Sequence, residues 1–432
     1  MAEDVKVPEG WKRVRLGEVA EILTGATPLR ERREYWDNGT IPWLTNEEVE
    51  EGKINYIRDT KEKITEVALK RTNVKLIPED SVILSLTASV GKVGINKVKM
   101  TTNQQFNALV VNKQKVLPLL LGYYLVFSKE RIKMLGGLTT FDFIGKTTIS
   151  DFQITLPPLP EQRKIAEILE TIDNAIEKTG RIIEKYKRIK QGLMQDLLTR
   201  GIDENGQIRS EETHRFRDSP LGRIPEEWKV VELGEVCEIN PEKVEYSSIK
   251  IVKYIDIESV KDGKITTYKI FTKNNAPSRA QRLVKEKDII VSTVRPNLKS
   301  FAIVTKEFDN FVCSTGFAVL RAKEEKVHPT YLFYLTFYDD VFLAQILPII
   351  VGSNYPAINS YDVYELIIPL PPLPEQKRIA SILSQIDEAI EKEQKYKEKL
   401  ERIKRGLMED LLTGKVRVNH LIEEGVELPQ EA

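Results

Sequence analysis

Few side chains in this sequence combine into a reactive set. Three histidines (His214, His328, His420) and two cysteines (Cys237, Cys313) stand in unrelated contexts. They are too few and too scattered for a four-ligand zinc cluster or a disulfide framework. The histidines read as surface or packing residues and the cysteines as small buried ones. Gly145-Lys146-Thr147 matches the last three residues of a phosphate-binding loop. That motif needs a glycine five residues earlier, where this chain has Thr140. No Asn/Asp-Pro-Pro-aromatic tetrapeptide of adenine methyltransferases is present, and no Asp…Glu-x-Lys nuclease set rises above the many acids and lysines. The expectation is a chain that catalyses nothing and holds no metal or cofactor.

The chemistry that remains is recognition. From Ser81 to Phe141 one acid, Glu130, stands against eight basic residues, a formal +7 over 61 residues. Lys92, Lys97 and Lys99 open that stretch. A basic field of this kind suits a phosphate-tracking surface, although a solvated face has the same composition. Polar loops accompany it: Thr87-Ala-Ser89-Val-Gly-Lys92, Asn103-Gln104-Gln105, Thr139-Thr140 and Lys146. In the second half Arg295-Pro-Asn297-Leu-Lys299 places a bidentate donor, an amide and a cation in one loop, and Ser353-Asn354-Tyr355 forms a further polar cluster. Arginine reads guanine and asparagine reads adenine in the major groove. Any one of these clusters alone reads as a structural turn. Together, two unlike loop sets suggest two unlike sequences being read.

The elements that must hold these loops are written twice. The chain has 432 residues, 65 Lys+Arg against 65 Asp+Glu and hence no net charge, with 30% charged and 41% hydrophobic residues. That is an ordinary globular composition with room for two or three domains. No apolar run reaches the ~18–20 residues of a membrane helix, and the N-terminus lacks a secretory core, so a cytoplasmic protein is expected. Residues 156–201 and 370–415 align without a gap, and 29 of the 46 positions are identical. Both copies open with Leu-Pro-Pro-Leu-Pro-Glu-Gln and close with Gly-Leu-Met-x-Asp-Leu-Leu-Thr. Upstream, Trp11 and Trp228 each begin a Trp-x-x-x-x-Leu-Gly-Glu-Val run.

The prolines at 157, 158 and 160 set a helix start near Glu161, and none follows before Leu198. Heptad counting puts Ile165, Leu169, Ile172, Ile176, Ile183, Leu193 and Leu197 on one seam. Its counterpart carries Ile379, Leu383, Ile386, Ile390, Leu400, Leu407 and Leu411. Thr179, Lys190, Glu393, Lys397 and Lys404 interrupt the middle of these seams. A lone amphipathic helix packs on its own domain; two matching seams bury each other. An antiparallel pair, roughly 57 Å long at ~1.5 Å per residue, with a globule at each end, is the arrangement expected.

The duplicated helix starts, helix ends and tryptophan openings, with Asn103-Gln104-Gln105-Phe106, resemble the specificity subunits of type I restriction-modification enzymes over residues 8–415. The resemblance implies an α+β architecture. Two mixed α/β target recognition domains (1–155 and 201–369) are joined by two long antiparallel coiled-coil helices (156–200 and 370–415) as a pseudo-two-fold repeat, with a C-terminal tail at 416–432. It implies a non-catalytic subunit whose domains each read one half of a bipartite, asymmetric double-stranded DNA target. The helix pair would set the spacer and dock two modification subunits, with restriction subunits joining them. S-adenosylmethionine, ATP and Mg are then expected on those partners, with no membrane involved. The second half departs from the first where Asn103-Gln104-Gln105-Phe106 becomes Ser314-Thr315-Gly316-Phe317. A coiled-coil scaffold that never touches DNA is the alternative.

Overall fold

The computed structural model describes residues 7–87, 89–136, 144–350 and 357–423. The chain divides into two compact units, 1–180 with 395–432 and 181–394. The division falls inside two long helices, Leu159–Thr199 and Leu373–Leu412. The first helix starts two residues before Glu161, because proline fits a first helical turn whose N–H groups have no partner.

In the first unit, strand Lys12–Arg15 pairs antiparallel with Gln153–Leu156, the strand that leads into the helix. A five-stranded sheet runs in the order Ala20–Thr24, Phe106–Val111, Val82–Ser85, Val93–Asn96, Ile54–Ile57. Only its last pair is parallel. A smaller sheet holds Glu62–Ile64, Ile41–Leu44 and Thr101–Thr102. Strand Val82–Ser85 is buried along its whole length, as its unbroken apolar run Val-Ile-Leu requires. Helix Pro118–Phe127 packs on this sheet.

The second unit repeats the plan. Cys237–Ile239, Phe317–Ala322, Ile289–Ser292 and Phe301–Ile303 form one sheet, and Lys269–Thr272, Ile251–Ile255, Val312–Ser314 and Ala280–Leu283 a second. Helix Pro329–Thr336 takes the place of Pro118–Phe127. Cys237 and Cys313 are buried, and burial pushes both thiols up to about 12.

Within the first unit the start of the first long helix lies beside the end of the second. Ile165, Leu169, Met408, Leu411 and Leu412 enter one core with the five-stranded sheet. Within the second unit Leu197, Leu198, Ile379 and Leu383 do the same. The helix ends thus face two partners, the other helix and the globule, which is why they are more apolar than the middles. Thr179, Ile183, Ile390 and Leu400 are buried, while Ile172, Ile176, Leu193, Ile386 and Leu407 are half-buried.

Two of the three lysines that interrupt the seams pair with an aspartate of the other helix. In the first unit Lys404 lies 2.6 Å from Asp173, which accepts a 2.9 Å hydrogen bond from the Tyr123 hydroxyl. In the second, Lys190 lies 2.6 Å from Asp387, which accepts at 2.8 Å from the Tyr334 hydroxyl. The two pairs occupy equivalent positions of the repeated helices, and a tyrosine from the globule closes each.

Candidate nucleic-acid interface

The repeated Pro-Glu-Gln at each helix start is a positioning device. Glu161 is 2% exposed and accepts from Trp11 Nε1 at 3.0 Å and from Arg417 Nε at 2.7 Å. Glu375 is 4% exposed and accepts from Trp228 Nε1 at 3.2 Å, from Arg209 Nη2 at 3.2 Å and from the Ile202 N–H at 2.9 Å. A buried carboxylate survives only when paired and hydrogen-bonded, and each helix start supplies the same solution from different parts of the chain. The next residue ties the globule on. Gln162 accepts from Leu117 N at 3.0 Å and donates to Lys115 O at 2.9 Å. Gln376 accepts from His328 N at 2.8 Å and donates to Lys326 O at 3.1 Å. Gly201, with φ +64°, follows the first long helix so closely under Glu375 that a Cβ would stand 2.1 Å from Oε1.

On that frame, each unit brings the same three chain segments together. In the first unit Leu86 N donates to Gln105 O at 3.0 Å, and Ile144 N donates to Leu86 O at 3.3 Å. In the second, Thr293 N donates to Gly316 O at 2.8 Å, and Ile358 N donates to Thr293 O at 3.0 Å. The two backbone bonds join a turn between paired strands, a turn entering the long central strand, and the lead-in to a short helix. Thr87, Ser89, Asn103, Gln104, Gln105 and Lys146 therefore belong to one junction, and Arg295 and Asn297 to the other. Thr139, Thr140, Ser353, Asn354 and Tyr355 lie outside the described residues.

Within the first junction the amides have unequal freedom. Asn103 Nδ2 donates to Gln105 Oε1 at 3.0 Å, and Asn103 Oδ1 accepts from Gln105 N at 3.0 Å, so these two brace the turn. Gln104 is exposed and meets the Thr27 hydroxyl. Lys92 is half-buried and donates to Asn46 O at 2.8 Å, and the Thr87 hydroxyl oxygen is buried with no partner among the described residues. Lys146 is exposed at the start of helix Lys146–Ser150.

Lys97 and Lys99 are not brought to this junction; they follow the other end of strand Val93–Asn96. Lys97 and Lys113 each lie 2.9 Å from Asp80, and their hydrogen bonds hold that carboxyl below its ordinary range. Lys129 pairs with Glu51, and Lys115 donates to Glu18 O at 2.9 Å. Two carboxylates from outside the stretch, Asp80 and Glu51, thus offset part of the formal +7.

Sequence reading passed over two further sets of cations. Arg30 stacks 3.9 Å over Trp36 and donates to Glu62 at 2.8 Å, three residues beyond Thr27. With Arg32 and Arg33 it forms a basic run against Tyr35 and Trp36, and that interleaving was the available signal. In the second unit exposed Arg279 accepts from Thr315 N at 2.8 Å through its carbonyl, on the turn entering the central strand. Lys299 is half-buried and lies 2.5 Å from Asp339. Among the described residues, no group of three or more His, Cys, Asp or Glu stands together to hold a metal ion, and no helix is long and apolar enough to cross a membrane.

The family model for the type I restriction modification DNA specificity domain matches this chain twice, over residues 8–187 and 225–402. The chain is 31% identical to the type I restriction enzyme MjaVIII specificity subunit of Methanocaldococcus jannaschii, covering 96% of this chain and 95% of the relative. It is 25% identical to the EcoDI specificity subunit of Escherichia coli, covering 88% of this chain and 82% of the relative. The crystal structure of the type I restriction-modification S subunit from M. genitalium superposes with a TM-score of 0.56 at 15% identity, covering 95% of this chain and 98% of that one. That likeness is one of fold.

Proposed function

The chain belongs to the family of type I restriction-modification DNA specificity subunits, and on that footing we propose that its two globules are target recognition domains for a bipartite, asymmetric DNA sequence. Residues 1–155 read one half of the target and residues 201–369 the other. The helical segments 156–200 and 370–415 set the number of unread base pairs and dock two modification subunits, to which restriction subunits add. S-adenosylmethionine, ATP and Mg are held by those partners, and the methylation and cleavage chemistry is theirs. The complex works in the cytoplasm on double-stranded DNA.

One observation supports this reading above the others. The same three-segment junction is built twice on the same hydrogen bonds, yet one copy offers Gln104, Ser89 and Lys146 while the other offers Arg295 and Asn297, with Arg279 on a neighbouring segment. Direct readout needs unlike donor and acceptor sets for unlike bases on a rigid mount. A scaffold has no use for that difference. The test is single-molecule sequencing of N6-methyladenine in host DNA, with and without this gene, in the presence of its modification subunits. An interrupted two-part motif methylated only when the gene is present supports the reading. An unchanged pattern in an active host leaves the scaffold.

A further inference from the structure

The turn that carries Arg295 is held in an unusual way. Arg295 and Lys299 both adopt left-handed backbone, each at φ 49°, which L side chains rarely take up. Between them Pro296–Leu298 form a single 3-10 turn whose proline is buried. Leu298 N donates to Arg295 O at 2.9 Å, Phe301 N donates to Lys299 O at 2.7 Å, and the Lys299 ammonium is anchored 2.5 Å from Asp339. The product of this fixed geometry is a leucine side chain, Leu298, that is 65% exposed, beside exposed Asn297.

A lone exposed leucine is ordinary. This one stands at the tip of a turn that holds two non-glycine residues in left-handed backbone, beside the reading junction. The counterpart turn in the first unit relies on Gly91, at φ +94°, and its described apolar residue, Val90, is buried. The thymine C5-methyl is the apolar group that a base edge presents in the major groove. We propose that Leu298 is a specificity-determining residue that packs against one thymine methyl in the half-site read by the second domain. The assignment rests on the DNA-reading function proposed above.

The test uses the full complex with its modification subunits and duplexes carrying the motif found by methylation sequencing. Each thymine of the motif is replaced in turn by deoxyuridine, which lacks only the methyl. Binding is measured for the wild type and for Leu298→Ala. One replacement, in the second domain's half-site, should weaken the wild type by about four-fold, the worth of one buried methyl-sized group. Leu298→Ala should bind the thymine duplex about that much more weakly and show no further loss with deoxyuridine.

An equal deoxyuridine penalty in both proteins, or no sensitive position in that half-site, overturns the assignment, whether or not Leu298→Ala binds more weakly. These results leave the bipartite reading intact. The absence of any sequence-dependent binding by the complex would instead remove that reading, and this inference with it.

Discussion

The helix starts and the loop junctions of this molecule follow opposite rules. At the helix starts the two units use the same residue types for the same bonds: Glu161 and Glu375, Gln162 and Gln376, Trp11 and Trp228. At the junctions the backbone bonds repeat but the side chains do not. The difference follows from burial. A buried carboxylate or amide has few arrangements that satisfy all its lone pairs and protons, so a duplicated helix start keeps its side chains. Gln104 and Asn297 are exposed, so burial does not fix the identity of either, which is free to answer to a ligand.

That contrast is exposed to direct attack. The largest effect is expected at the helix starts. Glu375→Ala removes the carboxylate that pairs with Arg209, 8% exposed as a side chain, and that accepts from the Trp228 N–H, leaving Arg209 only Glu227 at 3.6 Å and the Arg200 carbonyl at 3.4 Å. It should destabilise the second unit by about 3–5 kcal/mol in chemical denaturation. Glu161→Ala should cost less, because its partner Arg417 keeps 29% exposure and is rehydrated. Equal losses would mean that burial of the cation is not what separates the two.

Next in size, Gln162→Leu and Gln376→Leu each strand a backbone N–H and carbonyls at the junction of helix and globule. Losses of about 1–3 kcal/mol are expected in the same assay.

The seam lysines come third. A double-mutant cycle on Lys404 and Asp173 should return about 1 kcal/mol of coupling, and the cycle on Lys190 and Asp387 less. The first lysine side chain is 10% exposed and the second 27%. A larger coupling at Lys190 would contradict the ranking by burial.

The smallest effect belongs to the junction residues. Gln104→Ala and Asn297→Ala should leave stability within about 0.5 kcal/mol while changing DNA binding. A substantial loss of stability at either would erase the distinction between frame and reader.

Much of this was legible in the sequence, for definable reasons. The gapless duplication, the prolines before each helix and the heptad spacing are local signals, and the architecture follows from them. The partners of Glu161 and Glu375 were not legible, because Arg417 and Arg209 lie 256 and 166 residues away in sequence. Charge counting over Ser81–Phe141 suggested a basic field, but Asp80 and Glu51 meet its lysines from outside that window. Lys97 and Lys99 were grouped with Thr87 by closeness in sequence, whereas strand Val93–Asn96 carries the chain away from the junction. The left-handed pair at Arg295 and Lys299 has no sequence signal, since neither is glycine or asparagine.

The central claim is that each domain reads its half of the target independently of the other. It is tested most directly by replacing residues 12–155 with the equivalent domain of another specificity subunit and sequencing N6-methyladenine in cells that express the chimera with its modification subunits. The account predicts a motif in which one half changes while the other half and the spacer persist. A change in both halves, or in the spacer, would contradict it.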